Sequence, residues 1–322
     1  MSSHRPGKVI VTGVAGFIGS HLAERLADLG YPVLGVDCFT DYYPRPIKEA
    51  NLARLRGLPG VRLLEDDILD LGWPGLLEGT CFLFHQAAQT GVRGSWGDSF
   101  QPYVHNNILA TQRLLEAVKE NPGLETFVFA SSSSIYGDAE SYPTAEDVAP
   151  RPVSPYGVTK LACEHLCRVY EQQYGVPVVM LRYFTAYGPR QRPDMAFHRF
   201  IQAMLQDKEI TVYGNGEQTR DFTYVDDVIQ ANILAMNPAL RGKVYNVGGG
   251  SRITVNRVIH TLEGITGHKA RLRYIEKQKG DAGHTMADIT LAQRELGYRP
   301  TVTLEQGLQK ETEWLAQSLL RL

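Results

Sequence analysis

Within its first twenty positions a strand-like hydrophobic run breaks into closely spaced glycines, and this narrows what the chain can fold into. Val9, Ile10 and Val11 lead into Thr12-Gly13-Val14-Ala15-Gly16-Phe17-Ile18-Gly19. The segment that follows, 21–29, carries Leu22, Leu26 and Leu29 at helical spacing and stops at Gly30. In a strand–turn–helix unit each glycine of a G-x-x-G-x-x-G turn has a mechanical task. One turns tightly, one admits a pyrophosphate against the backbone, and one lets the helix pack on the sheet. The helix start offers free N–H groups and a positive dipole end to phosphates. Gly13, Gly16, Phe17, Ile18 and Gly19 are therefore expected to seat a dinucleotide.

The rest of the first half alternates strand and helix. Residues 33–36, 61–64, 81–85, 126–130 and 178–181 read as short buried strands. Residues 104–119, with Ile108, Leu114, Leu115 and Val118 on one side, and 156–174 read as helices. That alternation predicts an α/β fold, a Rossmann-type doubly wound parallel sheet. After about Phe184 the texture changes to a loop rich in Pro, Gly and Arg (187–193), a helix at 197–206, a glycine turn at 213–216 and a strand-like 219–225. This half lacks a second phosphate-type glycine motif and is expected to form a smaller C-terminal substrate lobe. The expected division is 1–184 for the dinucleotide-binding domain, with returning segments near 222–246 and 283–298, and 185–322 for the smaller lobe.

Composition removes several function classes. A net charge of −2 gives no global basic field for nucleic acid or anionic lipid, and no apolar run reaches the length of a membrane span. The opening residues lack the apolar core of a signal peptide. Cys38, Cys81, Cys163 and Cys167 are scattered, without C-x2-C spacing. They suit reduced thiols in the cytoplasm better than disulfides or metal ligands, and no metal site is expected. Cys163 and Cys167 read as core packing on a helix.

Asp37 ends the second strand, 18 residues after Gly19, where a carboxylate can accept hydrogen bonds from a ribose diol. It would repel a 2′-phosphate, so NAD is expected rather than NADP. Tyr156 and Lys160 stand at i and i+4 and share one helix face. A free phenol titrates near pH 10, at about which value it is a poor base at neutrality. An ammonium about 4 Å away, at an effective dielectric near 20, favours phenolate by about 4 kcal/mol before desolvation. With the serine run 131–134 between glycine turn and Tyr156, the pair is expected to make a tyrosinate base for taking a proton as a hydride leaves an alcohol carbon.

On these segments the chain resembles the extended short-chain dehydrogenase/reductase superfamily along nearly its whole length. The resemblance also rests on Glu65-Asp66-Asp67-Ile68, His85-Gln86-Ala87-Ala88, Asn106-Asn107, 131–137, Leu181-Arg182-Tyr183-Phe184 and Arg220-Asp221-Phe222. It implies that Asp67 and Ile68 flank an adenine, that Ala87 and Ala88 line the cofactor and Asn107 binds it, and that Tyr183 and Lys160 hold the nicotinamide half. It makes Ser132 the serine that hydrogen-bonds the reacting oxygen. The next two positions, an Asp-Glu pair in nucleotide-sugar 4,6-dehydratases, are Ser133 and Ser134 here, which argues against that activity.

Within the superfamily the chain is most similar to UDP-sugar 4-epimerases, and among them to UDP-glucuronate 4-epimerases. The similarity is carried by 37–43, 89–96 and the stretch from Arg182 through Thr185 to Ala196. It implies a C4 epimerisation through a 4-keto intermediate with bound NAD, and a homodimer. Arg192 can grip a C6 carboxylate bidentately, with Thr185, Ser133 and Ser134 completing the shell. Arg190 and Arg192 could instead serve a surface loop or the diphosphate. Arg93 is a further candidate contact. Arg220 matches the family arginine at the diphosphate, Asp281 is placed at the uridine ribose, and Tyr213 is a candidate uracil neighbour. Gln278-Lys279-Gly280-Asp281 stands where many relatives have Arg-x-Gly-Asp, so one phosphate contact is missing from the pattern. UDP-glucose/galactose epimerisation and UDP-glucuronate decarboxylation remain as alternatives, the latter without that family's Ala-Ser-Pro-Ala-Ser-Pro run after His85.

Overall fold

The computed structural model describes residues 7–277 and 280–320. The first half lays down β1 (Lys8–Thr12), α1 (Phe17–Asp28), β2 (Val33–Asp37), α2 (Arg45–Asn51), β3 (Val61–Glu65), α3 (Trp73–Leu77) and β4 (Thr80–His85). A continuous rod follows, made of α4 (Gln101–Tyr103), a π-helical turn (Val104–Leu109) and α5 (Ala110–Val118). Next come β5 (Thr126–Ser132), α6 (Pro155–Tyr174) and β6 (Val178–Tyr183). The second half holds β7 (Thr185–Tyr187), α7 (Ala196–Leu205), β8 (Glu209–Tyr213), β9 (Thr219–Arg220), β10 (Phe222–Tyr224), α8 (Val225–Leu234), β11 (Val244–Val247), β12 (Ile253–Thr254), α9 (Val255–Thr266), β13 (Arg271–Ile275) and α10 (Leu304–Leu319).

Seven strands form one parallel sheet in the order β11-β6-β5-β4-β1-β2-β3. The order reverses between β1 and β4, the place where an open α/β sheet leaves a crevice beyond its carboxyl ends. Alternation along β1 feeds two cores: Val9 and Val11 join the cluster on one face, Ile10 the cluster on the other. Cys163 and Cys167 are fully buried in the second cluster, as their helical spacing suggests. Residues 61–64 depart from the expectation of a buried strand. β3 closes the sheet with a neighbour on one side only, and every residue in it keeps some exposure.

The chain returns to the large sheet late. β11 pairs with β6, and α8 packs against α1. The remaining pairs, β8 with β13, β7 with β10 and β9 with β12, lie among α7, α9 and α10. No helix among the described residues is long and apolar enough to cross a membrane.

Candidate active site

The crevice at the sheet's switch point opens into a cleft of about 990 Å³ lined from both halves of the molecule. Its floor is the glycine turn. A Cβ on Gly19 would lie 2.1 Å from the Gly13 carbonyl oxygen, and one on Gly13 would lie 2.7 Å from the Ala87 nitrogen. Only bare backbone lets α1 and the end of β4 close on the turn this tightly. Asp37 ties it from the side: its carboxylate accepts from the Ala15 N–H (3.0 Å) and the Phe39 N–H (2.9 Å). Each carboxylate oxygen keeps a lone pair for a diol. Beneath, the neutral His85 ring bridges Thr12 (2.8 Å) and Thr111 (3.0 Å), and burial pulls its pKa down to about 3.

Gly13, Gly16, Phe17, Ile18, Gly19, Asp37, Asp67, Ile68, Ala87, Ala88 and Tyr183 all line this cleft. An open backbone turn, a carboxylate at the ribose distance along the chain and an apolar shelf fit a dinucleotide. Tyr183 contributes its ring, while its hydroxyl is tied to Asn232 (2.9 Å) and Gln86 (3.2 Å). Asn107 is a correction. It does not line the cleft; it is buried, donating to the Gln89 carbonyl and to Thr159 Oγ1, while its own Oδ1 takes the Gln89 N–H. It sits in the π-helical turn, where Asn106 is the residue on the cleft.

The candidate reacting groups come from β5 and α6. β5 runs two residues further than the sequence suggests, so Ser132 ends the strand and its Oγ accepts the Ser134 N–H (3.1 Å), capping a short 3-10 turn. α6 is started by Ser154, whose hydroxyl accepts the Gly157 N–H, with Pro155 in its first turn, and stopped by left-handed Gly175. Gly157 makes the approach possible: a Cβ there would lie 2.5 Å from the Ser134 carbonyl oxygen. Tyr156, one residue earlier, thereby stands over the serine turn, with the Tyr103 ring edge-on 6.2 Å away.

The electrostatics differ from the expected pair. Burial pushes the Tyr156 phenol up, and the pulls against that come from Ser132 and Arg192. Lys160 turns its ammonium to the Ala130 carbonyl (2.8 Å) and over the Phe129 ring, and burial lowers its pKa. Sequence spacing places both residues on one helix, and both line the cleft from α6. It did not carry the desolvation of both, nor the competing carbonyl.

The same cleft is also lined by Ser133, Ser134, Thr185, Arg192, Arg93, Tyr213, Arg220 and Asp281. Three of these form one cluster. Arg93 donates to Asp281 through Nε (3.0 Å) and Nη2 (2.5 Å), and its guanidinium lies 3.9 Å from the Tyr213 ring centroid. Arg220 sends Nη1 to the Thr219 and Gly283 carbonyls, and burial lowers its pKa against the opposing charge of Asp281. Gln278 and Lys279 lie outside the described residues. The two arginines of the 187–193 loop part company: Arg190 is pinned to Glu24 on α1 (2.9 Å), while Arg192 lines the cleft. The expected bidentate edge of Arg192 is taken by Asp194, at 2.9 Å from both Nε and Nη2. Asp194 and its second donor Tyr42 (3.2 Å) were not among the expected site residues, though Asp194 stands only two positions from Arg192.

Residues 9–248 match the NAD dependent epimerase/dehydratase family. An uncharacterized UDP-glucose epimerase, YtcB, of Bacillus subtilis is 46% identical over 311 residues, 96% of this chain and 98% of its own. A UDP-glucuronate 4-epimerase of Thermodesulfobacterium geofontis is 38% identical, covering 97% of each chain. The crystal structure of UDP-glucuronic acid 4-epimerase from Bacillus cereus, in complex with UDP-glucuronic acid and NAD, superposes with a TM-score of 0.94 at 46% identity, over 97% of this chain and 99% of that one. Sequence match and shared fold agree over almost the whole length, and the chain belongs to the NAD dependent epimerase/dehydratase family.

Proposed function

We propose that the protein interconverts UDP-glucuronate and UDP-galacturonate by inverting C4 through a transient 4-keto sugar, with NAD retained. The observation that carries this reading is that Arg192, Thr185, Ser133 and Ser134 line the same cleft as Tyr156. The fold and identity shared with the Bacillus cereus enzyme support it.

NAD, when bound, takes a hydride from C4 and later returns it, and its cationic ring favours the Tyr156 phenolate. Tyr156 takes the proton of the 4-hydroxyl and gives it back on the other face. Ser132 accepts the Ser134 N–H, which leaves its own proton for the 4-oxygen. Lys160 and Tyr183 hold the nicotinamide half. Arg220 anchors the diphosphate, Asp281 the uridine ribose and Tyr213 the uracil side, with Arg93 bracing the last two, so that the sugar alone turns over. A 4-keto uronate is a β-keto acid, and it loses CO2 only when the carboxylate bond stands roughly perpendicular to the carbonyl plane. Arg192, Thr185 and the two serines hold that bond away from this geometry.

The same reading divides the chain at about residue 184, with 222–246 and 283–298 returning to the NAD-binding domain; α8 and all of β11 but its last residue fall in the first of these segments. It carries a cytoplasmic homodimer. Exposed Leu109 at the end of the π-helical turn before α5, with Val158 and Val169 on α6, supports a second copy docking there, and four free cysteines suit a reducing compartment.

The test is incubation with UDP-glucuronate deuterated at C4, without added reductant, followed by NMR of the products. UDP-galacturonate that keeps the deuterium at C4, without UDP-pentose, is the expected result. Deuterium lost to water would refute internal hydride return, and UDP-xylose would indicate a decarboxylase. A second reading, UDP-glucose/UDP-galactose epimerisation, is favoured by the name of the Bacillus subtilis relative. Turnover of UDP-glucose with UDP-glucuronate untouched would put it first.

A further inference from the structure

Arg192 faces the cleft already holding a carboxylate, and that carboxylate is the protein's own. Asp194 accepts from Nε and Nη2, both at 2.9 Å, and so takes the edge of the guanidinium that makes the strongest fork-to-carboxylate pair. Nη1 is the terminal nitrogen that Asp194 leaves over. A third group completes the assembly. Tyr42, from the loop after β2, donates its hydroxyl to Asp194 Oδ2 (3.2 Å) and lays its ring 5.7 Å from the Arg192 guanidinium carbon. Tyr42, Arg192 and Asp194 all line the cleft, the arginine mostly buried and the aspartate half-open.

The consequence is electrostatic and geometric together. A free, fully charged fork beside the sugar would grip a uronate strongly and equally in substrate, product and transition state. Such uniform binding lowers KM without raising kcat, and it slows release of either epimer. An internal counter-ion removes most of that grip while keeping the cation aligned. Burial raises the Asp194 carboxyl, but the hydrogen bonds and charge of Arg192 outweigh this and hold it below the ordinary carboxylate range. The counter-ion is therefore ionised at neutral pH.

We propose that Asp194 is a positioning residue that sets the enzyme's selectivity by sugar charge: it occupies the Nε/Nη2 edge of Arg192, so that a C6 carboxylate meets the cation end-on rather than in a full fork. This inference rests on the uronate reading above. A neutral hexose has no carboxylate to feel the change, which gives the test its internal control.

The experiment measures kcat and KM of wild-type protein, Asp194→Asn and Tyr42→Phe on UDP-glucuronate and on UDP-glucose. Asparagine keeps the shape and one acceptor but removes the charge. The ratio of the UDP-glucuronate KM to the UDP-glucose KM should fall about five- to tenfold in Asp194→Asn, as for loss of one partly screened charge beside another. The kcat on UDP-glucuronate should fall with it, because release slows. Tyr42→Phe should move the ratio the same way by a smaller factor, and it decides the matter if Asp194→Asn does not fold. An unchanged ratio, or a uronate KM that rises, overturns the proposal, since a merely structural role moves both substrates together. Wild-type protein that converts UDP-glucose and leaves UDP-glucuronate untouched would overturn the uronate reading itself, and the inference with it.

Discussion

The two ends of the cleft are built by different means. The proposed cofactor end is backbone: a glycine turn, helix N–H groups and one aspartate clamped by two amides. The proposed substrate end is side chains, with Arg93 on Asp281, Arg192 on Asp194 and Arg220 on two carbonyls. Backbone geometry suits a ligand that stays and always has the same shape. Paired charges suit one that must enter, turn and leave, because each pair can give up part of its bonding without leaving a bare charge. The lesson is that fixed binding and exchangeable binding call for different materials within one crevice.

Changes at the junction of the two ends should have the largest effect. Tyr156→Phe keeps both proposed binding ends and removes only the proposed proton carrier. Its kcat is expected to fall by about 10²–10⁴, the usual range for a lost general base, with NAD content and UDP binding retained in absorbance and titration measurements. Gly19→Ala should break the cofactor end alone. Its methyl would sit 2.1 Å from a backbone oxygen, so the turn must move. A cost of about 3 kcal/mol or more in stability is expected, read as a drop in Tm together with loss of the shift that added NAD gives the wild-type protein.

Arg192→Met should separate the ends the other way. NAD binding should be unchanged, and kcat/KM on UDP-glucuronate should fall by about 10–100-fold, as for one lost charge-assisted hydrogen bond. UDP-glucose turnover should change far less, and some UDP-pentose should form as the carboxylate loses its restraint. Kinetics on both sugars with product NMR check this.

The smallest effect is on stability. Glu311 on α10 is fully buried, takes the Gly188 N–H at the root of the Arg192 loop (2.8 Å), and has no partner for Oε1 among the described residues. Burial pushes its carboxyl well above the ordinary range. An acid raised in the folded state binds its proton more tightly there, so its contribution is fully present below the unfolded pKa and is lost as pH rises through the folded one. Burial likewise raises Asp221, to about 7, with the same sign between about pH 4 and that value. Glu311→Gln should therefore flatten the decline of Tm with rising pH and leave the low-pH value nearly unchanged. A steeper decline would contradict the sign.

What the sequence shows follows the same division. The glycine turn, Asp37 and the alternating elements are contiguous or periodic, so spacing alone exposes them. Gly157 beside Tyr156 is also adjacent in sequence, although the need for it appears only once Ser134 is seen against it. Arg93, Tyr213 and Asp281 are each recognisable singly, yet nothing in a chain where Arg93 and Asp281 stand 188 positions apart says that they touch. Tyr42, 152 positions from Asp194, was missed for the same reason, whereas Asp194 stands two positions from Arg192 and was within reach of a reading of that loop. Asn107, expected only from the resemblance, lies buried in a π-helical turn from which Asn106 reaches the cleft. The Tyr156–Lys160 expectation placed the residues and missed their energetics, because spacing does not report burial.

The most direct test places equal amounts of UDP-glucuronate and UDP-glucose with the purified protein in one tube and follows both products by NMR from the first turnovers. The account predicts that UDP-galacturonate forms well ahead of UDP-galactose, with no pentose. UDP-galactose forming first, or at an equal rate, would contradict a substrate end built to recognise a carboxylate.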